Sequence, residues 1–307
     1  MEEQLYQACK DENIEEVQTL LQNEQININW QDFEHSRTPF FIACENGNIE
    51  IAKLLLNDNR VDINKATKKG CIPFWIACWK GHIEIVRLLL NDIRVDINKE
   101  NIDGVTPFYI ACQEGHIEIL ELLIKDQRVD INQATNDSET PLYISCENGN
   151  IEIMKLLLND QRIDANKATN EGVTPFLIAC QEGHIEIAKL LLNDKRIDVN
   201  KATNDGSIPF LTACYYGHIE IVKYLLACER EIDINKKDDN EGKTGLDWAR
   251  EREEMEMDEW ENEEEFQKRK RECGKIVKLL ELFEKNPNET RLQLRIQLGL
   301  AGKSFFF

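Results

Sequence analysis

The sequence predicts an all-α solenoid of seven to eight stacked helix-turn-helix units, and three observations predict it. Six of the seven prolines stand at positions 39, 73, 107, 141, 175 and 209, each 34 residues after the last. Six glycines, at 47, 81, 115, 149, 183 and 217, keep the same interval. Each of these glycines is followed by His or Asn and then by Ile-Glu-Ile. Proline locks φ and suits the first helical position, so a proline at a constant interval marks a helix restarting at a constant interval. A period of about 20 to 50 residues is the signature of a repeat architecture.

One unit, Asn101 to Asn132, shows why each element forms. Asp103-Gly104 is a turn signal. Thr106 can cap the helix that Pro107 begins, and Gly115 stops it after about Glu114. A second helix starts near His116, with Glu118 placed against the positive end of its dipole. Its predicted buried face is Ile117, Leu120 and Leu123, widened by Ile119 and Leu122. Val129-Asp130-Ile131-Asn132 alternates and reads as an extended arm into the next unit. Helices this short are not stable alone, so each must stack on its neighbours.

The recurring residues are Thr-Pro-Phe/Leu, then Ile-Ala/Ser-Cys, then Gly-His/Asn-Ile-Glu-Ile, then Leu-Leu, then Asp-Ile/Val-Asn. In these the chain resembles the ankyrin repeat family over roughly residues 5 to 285. The resemblance implies antiparallel helix pairs with short β-hairpin fingers, stacked into a curved solenoid whose concave side binds other proteins. Three departures stand out. The family's His after Thr-Pro-Leu is replaced by Phe41, Trp75, Tyr109, Tyr143, Leu177 and Leu211. Ile72 and Ile208 replace the capping Thr, at an expected cost of about 1 kcal/mol each. The family's Gly after the second helix gives way to Asn-Asp at 57-58, 91-92, 159-160 and 193-194. Asn tolerates the left-handed conformation, so it is expected to supply that cap.

The expected organisation is a capping repeat at 1–33, six full repeats over 34–240, and a C-terminal repeat at 241–285. An acidic insertion at 253–272 interrupts the last repeat. The tail, 286–307, reads as the possible start of a further domain. The insertion holds nine acids and no base from Glu253 to Glu265, then Lys268-Arg269-Lys270-Arg271. It reads as a solvated helix extension or loop. From Arg291 to Leu300 apolar and polar residues alternate, the pattern of a half-buried strand. Gly299 to Ser304 is set aside as a phosphate loop: Gln297 stands where its first glycine belongs, and no helix follows.

Net charge is −20, from 37 Lys and Arg against 57 Asp and Glu. Such a surface repels phosphate backbones and disfavours nucleic-acid binding. No run of apolar residues is long enough to span a membrane. Ten cysteines with no leader-like start point to a reducing, cytoplasmic setting, with a nuclear one opened by the basic tetrad. Three ladders invite chemical readings and each has a plainer one. Cys44, Cys78, Cys112, Cys146, Cys180 and Cys214 are too far apart on stacked helices for disulfides and read as core. Cys71 and Cys228, off the ladder, are the better candidates for exposed thiols. His82, His116, His184 and His218 share their slot with Asn48 and Asn150, which a metal site would not allow, so they read as hydrogen-bonding groups at a helix start. Arg60, Arg94, Arg128, Arg162 and Arg196 read as surface partners of neighbouring aspartates, with a positive stripe for an acidic partner as the sharper reading.

No nucleophile–base pair or acidic dyad stands in a unique position, so no catalytic residue, cofactor or metal is assigned. The resemblance implies that the partner is met by the pair before each inter-helix glycine and by the finger residues. The pairs are Glu45-Asn46, Trp79-Lys80, Gln113-Glu114, Glu147-Asn148, Gln181-Glu182 and Tyr215-Tyr216. The finger residues are Lys68, Lys69, Asp103, Asp137, Glu171 and Asp205. Trp79, Tyr215 and Tyr216 are the expected anchors, since Trp and Tyr are enriched at interface hot spots. Aromatic ends around an acidic middle suit a basic or mixed-charge protein. The expected function is a non-enzymatic protein–protein interaction scaffold, monomeric alone. The alternative is the targeting arm of a larger enzyme or channel.

Overall fold

Each Thr-Pro starts a helix and each turn glycine ends one. A computed structural model describes residues 1–257 and 262–300; among these it contains seventeen helices and no strand. The first pair is α1 (Glu2–Lys10) and α2 (Ile14–Leu21). Six pairs follow: α3 (Pro39–Asn46) and α4 (Ile49–Leu56), α5 (Pro73–Lys80) and α6 (Ile83–Leu90), α7 (Pro107–Glu114) and α8 (Ile117–Leu123), α9 (Pro141–Glu147) and α10 (Ile151–Leu158), α11 (Pro175–Gln181) and α12 (Ile185–Asn193), α13 (Pro209–Tyr216) and α14 (Ile219–Ala227). The described chain closes with α15 (Gly245–Glu254), α16 (Glu263–Lys285) and α17 (Pro287–Gln297). None of these helices is long and apolar enough to cross a membrane.

The contacts divide the chain into two compact units. Unit 1 holds residues 1–144 and 159–163; unit 2 holds 145–158 and the described residues from 164 onward. In unit 1 the first helices α1, α3, α5 and α7 stack in order, as do the second helices α2, α4, α6 and α8. In unit 2 the first helices α11, α13 and α15 stack, and so do the second helices α10, α12 and α14. The residue after the helix-opening proline is a fully buried phenylalanine at Phe40, Phe74 and Phe108 in unit 1 and at Phe176 and Phe210 in unit 2.

Caps follow the sequence closely. Thr38, Thr106, Thr140 and Thr174 accept a hydrogen bond from the N–H three residues on. Ile72 and Ile208 make no cap bond, yet both side chains are buried at 1% exposure. Full burial of an isoleucine contributes about 1.5–3 kcal/mol, more than the roughly 1 kcal/mol of a cap. The expected net cost therefore disappears. In α8 the core residues are Ile119, Leu120 and Leu123, while Ile117 is only half-buried.

Two expectations about helix ends and tail are overturned. Asn57 and Asn91 end their helices in right-handed, not left-handed, geometry. The open carbonyls are met by arginine from the next repeat: Arg128 donates to Leu90 O, Arg162 to Ile124 O and Arg196 to Leu158 O, at 2.6–2.8 Å. Each arginine is held by the aspartate two residues before it, so a neighbour's guanidinium does what a glycine cap does elsewhere. The alternating tail is not a strand but α17. Proline at its first position and Leu, Gln and Arg after it favour a helix, and it buries Thr290 and Leu294, four apart. It packs on α14 and α16 and leaves Leu292 and Ile296 exposed. Residues 301–307, with Phe305 to Phe307, lie outside the described residues, as do 258–261 of the acidic insertion. From Glu263 the insertion is the first part of α16.

Fingers are turns, not strand pairs. Each closes on a tight turn, as Thr67 N–H to Cys71 O with Gly70 N–H to Thr67 O, or Thr203 N–H to Ser207 O with Gly206 N–H to Thr203 O. Neighbouring fingers share one more, as Ile102 N–H to Lys69 O in unit 1 and Asn204 N–H to Glu171 O in unit 2. That is too few for a ladder.

Candidate functional site

Seen in its packing, the residue three before each ladder cysteine decides what space lies between first helix and finger. In unit 1 this slot holds Tyr6, Phe41, Trp75, Tyr109 and Tyr143, all buried. The polar tips of Trp75, Tyr109 and Tyr6 each reach a finger. Trp75 Nε1 donates to Val105 O at 2.8 Å, Tyr109 Oη to Glu139 Oε2 at 2.9 Å and Tyr6 Oη to Asp32 Oδ2 at 2.7 Å. Aromatic bodies thus fill the space and their tips tie helix to finger.

In unit 2 the same slot holds Leu177 and Leu211. Where the rings would stand there is a concavity of about 590 Å³. Leu177 and Leu211 line it, with Tyr215, Tyr216 and Trp248 and the finger residues Glu171 and Asp205. Its volume falls in the range of ligand pockets, about 300–1,000 Å³. Tyr215 meets Tyr216 and Trp248 edge to face, with centroids 5.0 and 5.1 Å apart. The Arg252 guanidinium lies 4.2 Å from the centroid of the Tyr215 ring, and the Lys243 ammonium 4.3 Å from that of Trp248. These cations fix the rings from one side. Trp248 Nε1 donates to Asp238, whose carboxylate also accepts from the backbone N–H groups of Asn240, Glu241 and Lys243. Burial alone would raise the Asp238 carboxyl, but these bonds together hold it below the ordinary aspartate range.

The concavity brings together Glu171, Asp205, Tyr215, Tyr216 and Gln181 among the sequence candidates. It does not include Trp79, Lys80, Gln113 or Glu114, which are exposed on the helices α5 and α7 of unit 1. Trp79 is 39% exposed, packs against Trp75 at 5.4 Å and carries Lys80 Nζ over its ring at 4.6 Å. Lys68, Lys69, Asp103 and Asp137 stand exposed on unit 1 fingers, and Lys68 Nζ donates to Phe33 O. Sequence reasoning missed Trp248 and the role of Leu177 and Leu211. The signal was present: two leucines end a run of aromatic residues at one repeat position.

The ladders are frame. His82, His116, His184 and His218 do not cap their own helices; each Nε2–H donates to a carbonyl 37 residues back, in the preceding repeat, at 2.7–2.9 Å. Their rings lie against the preceding turn glycine, where a Cβ on Gly183 would stand 2.5 Å from His218. Asn48 and Asn150 do cap, accepting from Ile51 and Ile153 N–H. One slot therefore serves two bonds. Burial lowers the His218 imidazole and favours its neutral form. A ladder unread in the sequence is the arm asparagine: Asn64 and Asn98 each donate to the next repeat's arginine carbonyl and accept from the aspartate N–H two residues later. In unit 2 Asn166 does the same. The side-chain amide here substitutes for a backbone ladder. All ten cysteines are buried, including Cys71 and Cys228, which are not exposed thiols. Burial pushes Cys9 up to about 12 and Cys273 up to about 11, so their thiolates are scarce at neutral pH.

A comparison with curated proteins returned no match. A family profile described as "Ankyrin repeats (3 copies)" matches residues 5–101, 59–135, 91–168, 108–203, 159–238 and 197–256. These overlapping matches run through both units, and with the helix pairs, turn glycines and interlocked fingers they show that the chain belongs to the ankyrin repeat family.

Proposed function

We propose that this chain is a non-enzymatic protein-interaction scaffold that holds a basic or mixed-charge protein segment in the unit 2 concavity. Ankyrin repeats are generally protein–protein interaction modules, which is the coarse reading the family carries. The observation that carries the finer one is the space opened where Leu177 and Leu211 replace aromatic rings, walled by Tyr215, Tyr216 and Trp248. Tyrosine and tryptophan beside a concavity are typical binding anchors. The exposed Trp79–Lys80 surface of unit 1 is a second contact in this reading. Repeat 1–33 and residues 241–285 act as caps, and the scaffold works as a cytoplasmic monomer.

Peptides selected from a random display library against the whole chain supply the ligand for the test, with affinity measured by calorimetry. Tyr215→Ala and Leu211→Tyr should each weaken binding at least about ten-fold, which is roughly 1.4 kcal/mol, with helicity unchanged by circular dichroism. The first removes an anchor; the second fills the space. Trp79→Ala should have a smaller effect. Unaltered affinities in all three variants would refute the placement.

A further inference from the structure

The unit 2 concavity is lined by sixteen residues, among which four are acidic and none is lysine or arginine. Its polar groups are unequal in what they leave for a ligand. Several side-chain donors are already engaged: Gln181 Nε2 to Glu182, Asn204 Nδ2 to Asn170 O, Thr212 Oγ1 to Ile208 O and Trp248 Nε1 to Asp238. Among the acids, Asp238 is saturated by finger N–H groups and Glu241 is paired with Lys243. Glu171 and Asp205 stand exposed at the rim, on neighbouring fingers joined by the Asn204 N–H to Glu171 O bond. Asp205 is held in place by the Thr203 hydroxyl and the Ser207 N–H, and the first of these bonds keeps its carboxyl below the ordinary aspartate range. Below the rim lie the apolar side chains of Leu177 and Leu211.

An anion would meet four carboxylates with no lysine or arginine in the lining to offset them. A neutral apolar group would meet the leucines but leave the rim acids uncompensated. A long cationic side chain meets both, with its alkyl stem on leucine and its head on carboxylate. We infer that the concavity receives one lysine or arginine side chain of an extended segment of the partner protein, stem on Leu177 and Leu211, head between Glu171 and Asp205. This rests on the proposed function and names its ligand chemistry.

The test is a titration of the ¹⁵N-labelled full chain with capped tripeptides Gly-X-Gly, where X is arginine, lysine, norleucine or glutamate. The readout is the Trp248 indole N–H signal, assigned with Trp248→Phe. Arginine and lysine peptides should give a saturable shift that weakens as salt rises; norleucine should bind at least about ten-fold more weakly. The doubly neutral Glu171→Gln, Asp205→Asn variant should lose about ten-fold for arginine and gain nothing for norleucine, with its other amide signals in place. Norleucine matching arginine, an arginine shift unchanged in the double variant, or no saturable shift with either cation would each overturn the inference. If the tripeptides fail while display-selected peptides still lose affinity on Leu211→Tyr, the basic occupant falls and the proposed site stands.

Discussion

Units 1 and 2 are built on the same 34-residue frame, and one position in that frame separates them in what it leaves open. The slot three residues before the ladder cysteine is aromatic throughout unit 1 and leucine at Leu177 and Leu211 in unit 2. In unit 1, Trp75 and Tyr109 reach across to the next finger and lock it. In unit 2 the same space is a concavity. The difference teaches that a repeat can trade a structural lock for a binding surface by shortening one side chain, while Phe, Cys and Gly positions around it stay fixed.

The sharpest way to break this comparison is to exchange the residues. Trp75→Leu removes a buried ring and its bond to the Val105 carbonyl, which keeps only the Asn101 N–H, so it should destabilise the chain by about 3 kcal/mol. Leu211→Tyr grows into existing space and should change stability by less than about 1 kcal/mol. Urea titrations followed by circular dichroism give both numbers. Equal losses in the two variants would mean that the slot is no lock in unit 1.

A second contrast concerns what sits on the turn glycine. At Gly81 of unit 1 the His116 ring leaves only 2.7 Å for a Cβ; at Gly217 of unit 2 the nearest atoms, on Arg269 and Cys273 of α16, stand at 3.2 Å. Both glycines have positive φ, +76° and +78°, so an alanine strains either by about 1–2 kcal/mol. Gly81→Ala should lose about 1 kcal/mol more than Gly217→Ala, because it also displaces the histidine that bonds Trp79 O. Denaturation midpoints at matched slopes test the ordering.

How much of this was legible in the sequence follows from what each position answers to. The prolines, turn glycines and capping threonines obey local backbone rules, so the helix pairs could be read residue by residue. The arm asparagines and the His and Arg ladders answer to a residue about 30 to 38 positions away, and their bonds could not be read from one unit. The concavity is harder still. Its one trace in the sequence is that Leu177 and Leu211 end a run of aromatic residues at one slot, and what a shorter side chain leaves open is set by neighbours far along the chain. In the tail the alternation points to a strand, but Pro287 and the Leu, Gln and Arg residues after it favour a helix locally, and with no partner strand that propensity wins in α17.

The two ends of the repeat frame differ from its middle in the residue that opens the finger. Internal fingers begin with Thr67 or Asn101, neutral groups that accept N–H bonds from the turn. The fingers near each end begin with Asp32 in unit 1 and Asp238 in unit 2. Asp32 accepts from His35 and Arg37 N–H, from the Arg37 guanidinium and from Tyr6 Oη. Burial would raise its carboxyl, but those bonds hold it well below the ordinary range; the bonds to Asp238 lower that carboxyl too. A depressed carboxyl stabilises the fold fully above the unfolded value near about 3.9 and loses that contribution as pH falls through the folded value. Below about pH 4, then, the two aspartate fingers should lose amide protection before the fingers at Thr67 and Asn101, as measured by hydrogen exchange. Asp32→Asn keeps an acceptor and removes the charge; it should destabilise by about 1–2 kcal/mol at pH 7 and by clearly less at pH 2, where much of that contribution is already lost. The same loss at both pH values would show that the carboxylate charge is not what holds the finger, and that the ends and the middle of the frame are fastened alike.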